Sequence, residues 1–133
     1  FGLDRIEERI AAVVERMGIL SRVDQRASTL SHGMRKRFSI ARALLHDPLV
    51  LMMDEPESGL DQEAQAMLED VVSAPTAFPR TVLMTTHNLD RGLALGHRTA
   101  ILARGEIAYQ ESASSVGVAA VREAYRRYTE TTP

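Results

Sequence analysis

The sequence predicts an α/β protein built on a parallel sheet, and three observations carry that expectation. Five apolar residues in succession, Leu49 to Met53, cannot alternate between a wet and a dry face, so they read as a strand buried on both faces. A second run, Thr81 to Thr86, is β-branched and apolar and reads as another interior strand. Between them Ala64, Met67, Leu68, Val71 and Val72 recur at helical spacing from about Gln62 to Val72. Strand, helix and strand in succession imply a right-handed parallel crossover.

Composition bounds what such a sheet can belong to. With 133 residues and 44% hydrophobic content, one core can be buried, so one domain or part of one is expected. The net charge of -2 creates no general basic field, which argues against nucleic acid as the main partner. Cysteine is absent, which excludes disulfides and thiolate metal ligands. No apolar run approaches the roughly 20 residues that span a bilayer, and no basic-then-apolar signal segment opens the sequence, so it reads as soluble. Of the 16 Lys and Arg residues only Lys36 is a lysine.

Taken in order, the chain opens with a helix that Asp4 can cap. Its apolar residues are Ile6, Ile10, Val13, Val14 and Met17, and Gly18 follows its end. Ile19 to Leu30 reads as a polar connector anchored by Val23 and Leu30. Ser31, His32, Gly33 and Met34 open a second helix with Met34, Phe38, Ala41 and Leu45 as its buried stripe, and Asp47-Pro48 ends it. Ser31 and Gly33 suit that start either as an ordinary cap or as a seat for an anion on free N–H groups. Arg35, Lys36 and Arg37 read as a solvated face rather than a nucleic-acid contact.

After the first strand, Pro56 stops the extended chain, Gly59 permits a tight turn and Asp61 can cap the crossover helix. Ser73 to Arg80, with Pro75 and Pro79, reads as a surface loop. Asn88 caps a short helix through Leu95, ended by Gly96. Thr99 to Ala103 and Glu106 to Gln110 read as a hairpin turned at Arg104-Gly105. The last segment, capped near Ser114 or Ser115, carries Val118, Val121, Ala124, Tyr125 and Tyr128 as an amphipathic helix with Arg122, Arg126 and Arg127 outward.

Asp54 and Glu55 fall where the first strand should end. In open sheets ligands bind outside the carboxyl ends of the strands, so acids there can meet a metal ion or a water. His87 follows the second strand and is expected at the same carboxyl edge. Taken singly, the Asp-Glu-Pro stretch is an ordinary polar strand exit and the histidine an ordinary exposed one; their coincidence favours chemistry.

With these residues in hand, the whole chain resembles the carboxyl-terminal half of the nucleotide-binding domain of ATP-binding cassette (ABC) transporters, a P-loop NTPase fold. Leu30-Ser31-His32-Gly33-Met34 is similar to the family's signature loop, Val50 to Glu55 to its Walker B strand with the following acid, Ser58-Gly59-Leu60-Asp61 to its D-loop, and His87 to its switch histidine. The resemblance implies a helical subdomain with the signature helix at about 1–47, catalytic-core strands and helices at about 48–112, and a terminal helix at about 113–133.

The resemblance also implies roles. Asp54 would hold Mg²⁺ through a coordinated water, and Glu55 would act as general base on the attacking water. His87 would sense the γ-phosphate. Ser31, His32, Gly33 and Met34 would contact ATP held by a second nucleotide-binding domain in a homo- or heterodimer, and Ser58, Gly59, Leu60 and Asp61 would lie at that interface. A transmembrane permease would be the other partner, which would place the protein in the cytoplasm on the inner face of the cell membrane.

The signature departs from the usual pattern at His32, where Gly is common, and at Met34, where Gln is common. Met there leans toward export. No Gly-x-x-x-x-Gly-Lys-Ser/Thr occurs, so the chain has no P-loop and is expected to be inactive by itself, a part of an ATPase domain about twice its length. Two other readings are an ABC-type ATPase acting on DNA or ribosomes, and a catalytically inactive module that lends its signature face to a complete partner.

Overall fold

The computed structural model describes residues 3–74 and 79–129, apart from the side chains of Leu3 and Asp4. The expected cap at Asp4 and the loop residue Pro75 therefore lie outside the described residues. The chain forms two compact units, one reaching Thr85 and the other beginning at Thr86.

The first unit contains helices α1 (Leu3–Arg16), α2 (His32–Leu44) and α3 (Gln62–Ser73), with strands β1 (Val50–Asp54) and β2 (Thr81–Thr85). The connector after α1 makes two short 3-10 turns, Leu20–Arg22 and Ala27–Thr29. Its anchors are Ile19, fully buried, and Leu30; Val23, expected to be an anchor, is exposed. Only the last part of α1 reaches the core, through Val13 and Val14, with Met17 buried just past its end, whereas Ile6 and Ile10 are exposed. Gly18 reverses the chain with φ 61°, in the left-handed region that glycine enters without a Cβ penalty.

β1 and β2 pair in parallel, with Met52 opposite Leu83 and Asp54 opposite Thr85. This is the expected crossover, with α3 as its helix. One face of the pair is dry. Leu51, Met53 and Val82 pack with Ile40, Ala41 and Leu44 of α2 and with Ala64, Leu68 and Val71 of α3.

The expectation of burial on both faces is corrected: Val50 is 60%, Met52 72% and Leu83 58% exposed. Among the described residues the sheet has two strands and helices of its own unit on one side, so the residues that alternate to the other side stay largely exposed.

α2 is rotated relative to its expected stripe. Arg37, Ile40, Ala41 and Leu44 are its buried residues, and Met34 and Phe38 only flank the core. Arg37 is thus no part of a solvated face: it is 6% exposed. Its guanidinium meets Asp61 at 2.8 Å, Glu63 at 3.6 Å and the Met67 sulfur at 3.6 Å. The long aliphatic stem fills core space while the charged head is paired at the rim, which lets an arginine occupy an apolar stripe.

The second unit contains α4 (Leu89–Leu95), β3 (Arg98–Ala103), β4 (Glu106–Ser112) and α5 (Val118–Thr129). Asn88 caps α4, its side chain accepting from the Arg91 amide at 3.0 Å. β3 and β4 form the expected hairpin, antiparallel, with an irregularity between Ile101 and Leu102. Arg104 at φ 54° and Gly105 at φ 82° give both central turn residues positive φ, the pattern of a type I′ hairpin turn. Ser114 and Ser115 do not cap α5. The Ser115 hydroxyl donates to the Ser112 carbonyl at 2.8 Å, and the helix starts beyond Gly117. Val121 of α5 and Ile101 of β3 are the buried apolar residues of this unit.

Candidate functional site

Asp54 is the last residue of β1 and Glu55 the first beyond it. Glu55 has φ 42°, a left-handed backbone that costs a residue with a Cβ on the order of 1–3 kcal/mol and persists only where the surroundings enforce it. The enforcement is visible. The Glu55 amide donates to the Thr85 hydroxyl at 3.0 Å, and its carbonyl accepts from the Ser58 amide at 3.1 Å and from the Lys36 ammonium. Lys36 also reaches the Ser58 carbonyl at 3.1 Å. The Thr85 hydroxyl in turn donates to the Asp54 carboxylate. Strand pairing of Asp54 with Thr85 puts that hydroxyl where it can serve both acids.

The next turn carries the remaining interface residues. Ser58 and Gly59 are exposed, Leu60 is 7% exposed and closes the core, and the Leu60 amide donates to the Glu57 carbonyl at 3.1 Å. Asp61 caps α3, accepting from the Ala64 amide at 2.8 Å and pairing with Arg37 at the same distance. The Ala64 amide foremost holds its carboxyl below the ordinary aspartate range; desolvation, next in size, opposes it, and the Arg37 guanidinium adds to the lowering.

Ser31 caps α2, its hydroxyl accepting from the Met34 amide at 3.2 Å. The cap reading of Ser31 is therefore realised in the chain by itself. The loop at this helix start lies against the Ser58–Asp61 turn. A Cβ on Gly59, whose φ is 73°, would stand 2.8 Å from the His32 ring, and a Cβ on Gly33 would stand 3.3 Å from the Gly59 carbonyl oxygen. His32 thus fills the space beside a glycine that needs both its missing side chain and its left-handed backbone.

The first unit brings together Asp54, Glu55, Ser58 to Asp61 and the Ser31–Met34 loop. His87 is exposed, belongs to the second unit and follows β2 by two residues. Sequence reasoning missed Lys36, Arg37 and Thr85. Spacing could have found Arg37, because residues 37, 40, 41 and 44 form a helical stripe. Nothing in the sequence marks the contacts of Lys36 and Thr85, which depend on strand register and on helix approach.

The donor set fits a magnesium ion bound with nucleotide. Among the described residues no group of three or more His, Cys, Asp or Glu side chains forms a protein cage. Mg²⁺ in phosphoryl-transfer sites uses one or two carboxylates and takes its other ligands from phosphates and water, and the exposed Asp54 at a strand end would supply one.

A parallel strand-helix-strand unit with acids at the strand's carboxyl end is an α/β arrangement that sets ligand-binding groups at the sheet edge. A solved ATP-binding subunit of an ABC transporter superposes on 98% of the chain with a TM-score of 0.79 at 21% identity, a likeness of fold, and the chain covers 53% of it. A second solved protein, cbiO1 from Clostridium perfringens, part of the cbiONQ ABC transporter complex, gives a TM-score of 0.71 at 27% identity over 96% of this chain and 50% of its own.

Residues 4–58 match the family model described as ABC transporter. The chain is 36% identical over 107 residues to Nod factor export ATP-binding protein I of Paraburkholderia xenovorans, which is 79% of this chain and 35% of that protein. It is also 36% identical over 105 residues to the phospholipid-transporting ATPase ABCA3 of Rattus norvegicus, 79% of this chain and 6% of that one. These likenesses support an ABC transporter ATP-binding domain, and the chain spans about a third of the first of these relatives and about half of the solved chains.

Proposed function

We propose that this chain is the carboxyl-terminal portion of an ABC ATPase domain that powers a membrane permease. The observation that carries this reading is the gripped Asp54–Glu55 pair at the carboxyl end of β1. Its backbone is fixed by Thr85 and Lys36, which leaves two carboxylates at a rigid strand exit. Asp54 would hold Mg²⁺, which would supply a counter-charge for the developing phosphate charge, and Glu55 accepts the proton of the attacking water. His87 senses the γ-phosphate. Ser31, His32, Gly33 and Met34 bind ATP carried by a second nucleotide-binding domain, with Ser58, Gly59, Leu60 and Asp61 at the seam.

Among the described residues no helix is long and apolar enough to cross a membrane, which fits a subunit attached to its membrane through a permease. A relative named for Nod factor export supports export as the direction.

The test is phosphate release. The 133-residue chain alone, without a P-loop, is expected to show no Mg²⁺-dependent ATP turnover, whereas a domain completed amino-terminally with a P-loop half is expected to show it. A folded, ATP-binding completed domain that released no phosphate would contradict the reading, and so would turnover by the chain alone.

A further inference from the structure

We propose that Lys36 is a positioning residue for Glu55 and ties the geometry of the catalytic turn to the helix that carries the Ser31–Met34 loop. This rests on the function proposed above. The single lysine of the chain sits in α2, little more than one turn past His32, and its ammonium binds the carbonyl oxygens of both Glu55 and Ser58. Those carbonyls bracket the turn from the general base to the first residue of the interface turn. An ammonium offers three donors on a flexible stem, and charge-assisted bonds to carbonyls are stronger than neutral ones.

The backbone of Glu55 is strained, with φ 42°, and its carbonyl accepts from Lys36 and from the Ser58 amide of the same short turn. Its amide side is held independently by Thr85. Without Lys36 the carbonyl side loses a charge-assisted tie to α2, which loosens the peptide that carries the carboxylate. Because α2 begins at the loop that would meet the partner's nucleotide, movement of that helix reaches Glu55 through one side chain. A lysine that merely covers the turn would leave the turn's opening and the chemical step unchanged when replaced.

Lys36→Met and Lys36→Arg test this in two arms. In the 133-residue chain, residue-resolved amide exchange at Ser58 and Leu60 is expected to quicken about tenfold or more in Lys36→Met, with Leu68 and Val71 of α3 unchanged and Lys36→Arg close to the parent. In the P-loop-completed domain, Lys36→Met is expected to lower kcat about 10- to 100-fold while KM for ATP stays within about twofold, because misplacing a base by a fraction of an ångström to an ångström costs that much. Lys36→Arg is expected to recover most of the rate.

Should protection fall across α3 in Lys36→Met, Lys36→Gln takes its place under the same criteria. Parental exchange at Ser58 and Leu60 in Lys36→Met, or in Lys36→Gln where that replaces it, overturns the inference, as does a loss confined to KM. A completed parent without turnover would count against the proposed function instead, and the exchange arm would still decide the role of Lys36.

Discussion

In the P-loop-completed domain, Glu55→Gln is expected to lower ATP hydrolysis by about 10² or more with ATP affinity little changed. Glutamine keeps the length and polarity of the side chain, and it is unbranched at Cβ, so it tolerates the same left-handed backbone as well as glutamate does. The backbone contacts to Thr85, Ser58 and Lys36 use the Glu55 amide and carbonyl and survive the change. What disappears is the proton acceptor. On the proposed role of Ser31 and Gly33, which has them close on nucleotide across an interface, the uncleaved ATP is expected to hold two copies together, visible as a dimer in size-exclusion chromatography with Mg²⁺ and ATP. A Gln variant that turned over at the parental rate would reduce Glu55 to an ordinary strand-end acid.

The second large effect concerns stability. Leu68 of α3 is 1% exposed at the junction of α3, α2 and the dry face of β1. Leu68→Ala is expected to cost about 3 kcal/mol, the transfer term for the lost methyl groups plus a cavity that packed neighbours close only in part. Against a total of about 5–15 kcal/mol for a typical domain, that is a large share. Leu20, 61% exposed in the connector, provides the control, and Leu20→Ala is expected to stay within about 0.5 kcal/mol of the parent. Chemical denaturation of both variants checks the pair, and equal costs would show that the core is placed wrongly.

Much of the fold was legible because its signals are local. The apolar run ending on Asp54, the stripe of α3, the Asp61 cap and the Arg104-Gly105 turn each follow from a few adjacent residues, and each stands where it was expected. The order of motifs likewise announced the family that the comparisons support. Burial of β1 was misjudged because an apolar run reports what a strand is suited to, whereas exposure depends on which layers are present, and among the described residues one face stays largely exposed. The basic run of α2 was misjudged for a different reason. Charge type was weighed above spacing, although Arg37 falls in register with Ile40, Ala41 and Leu44. The grip on Glu55 was invisible because its partners are 19 and 30 residues away and meet it only once the strand register and helix approach are set.

The lone lysine has an experimental consequence as well. A protease that cuts after lysine has one target in this chain, the bond between Lys36 and Arg37, which lies within α2 beside a buried guanidinium. Cleavage there requires the helix to open and Arg37 to leave the core. When opening and closing are fast relative to cutting, the rate of digestion therefore measures the population in which this one helix is open. An undivided 133-residue chain reports a closed α2, and its conversion to two fragments counts the openings of the helix that begins at the proposed nucleotide-binding loop.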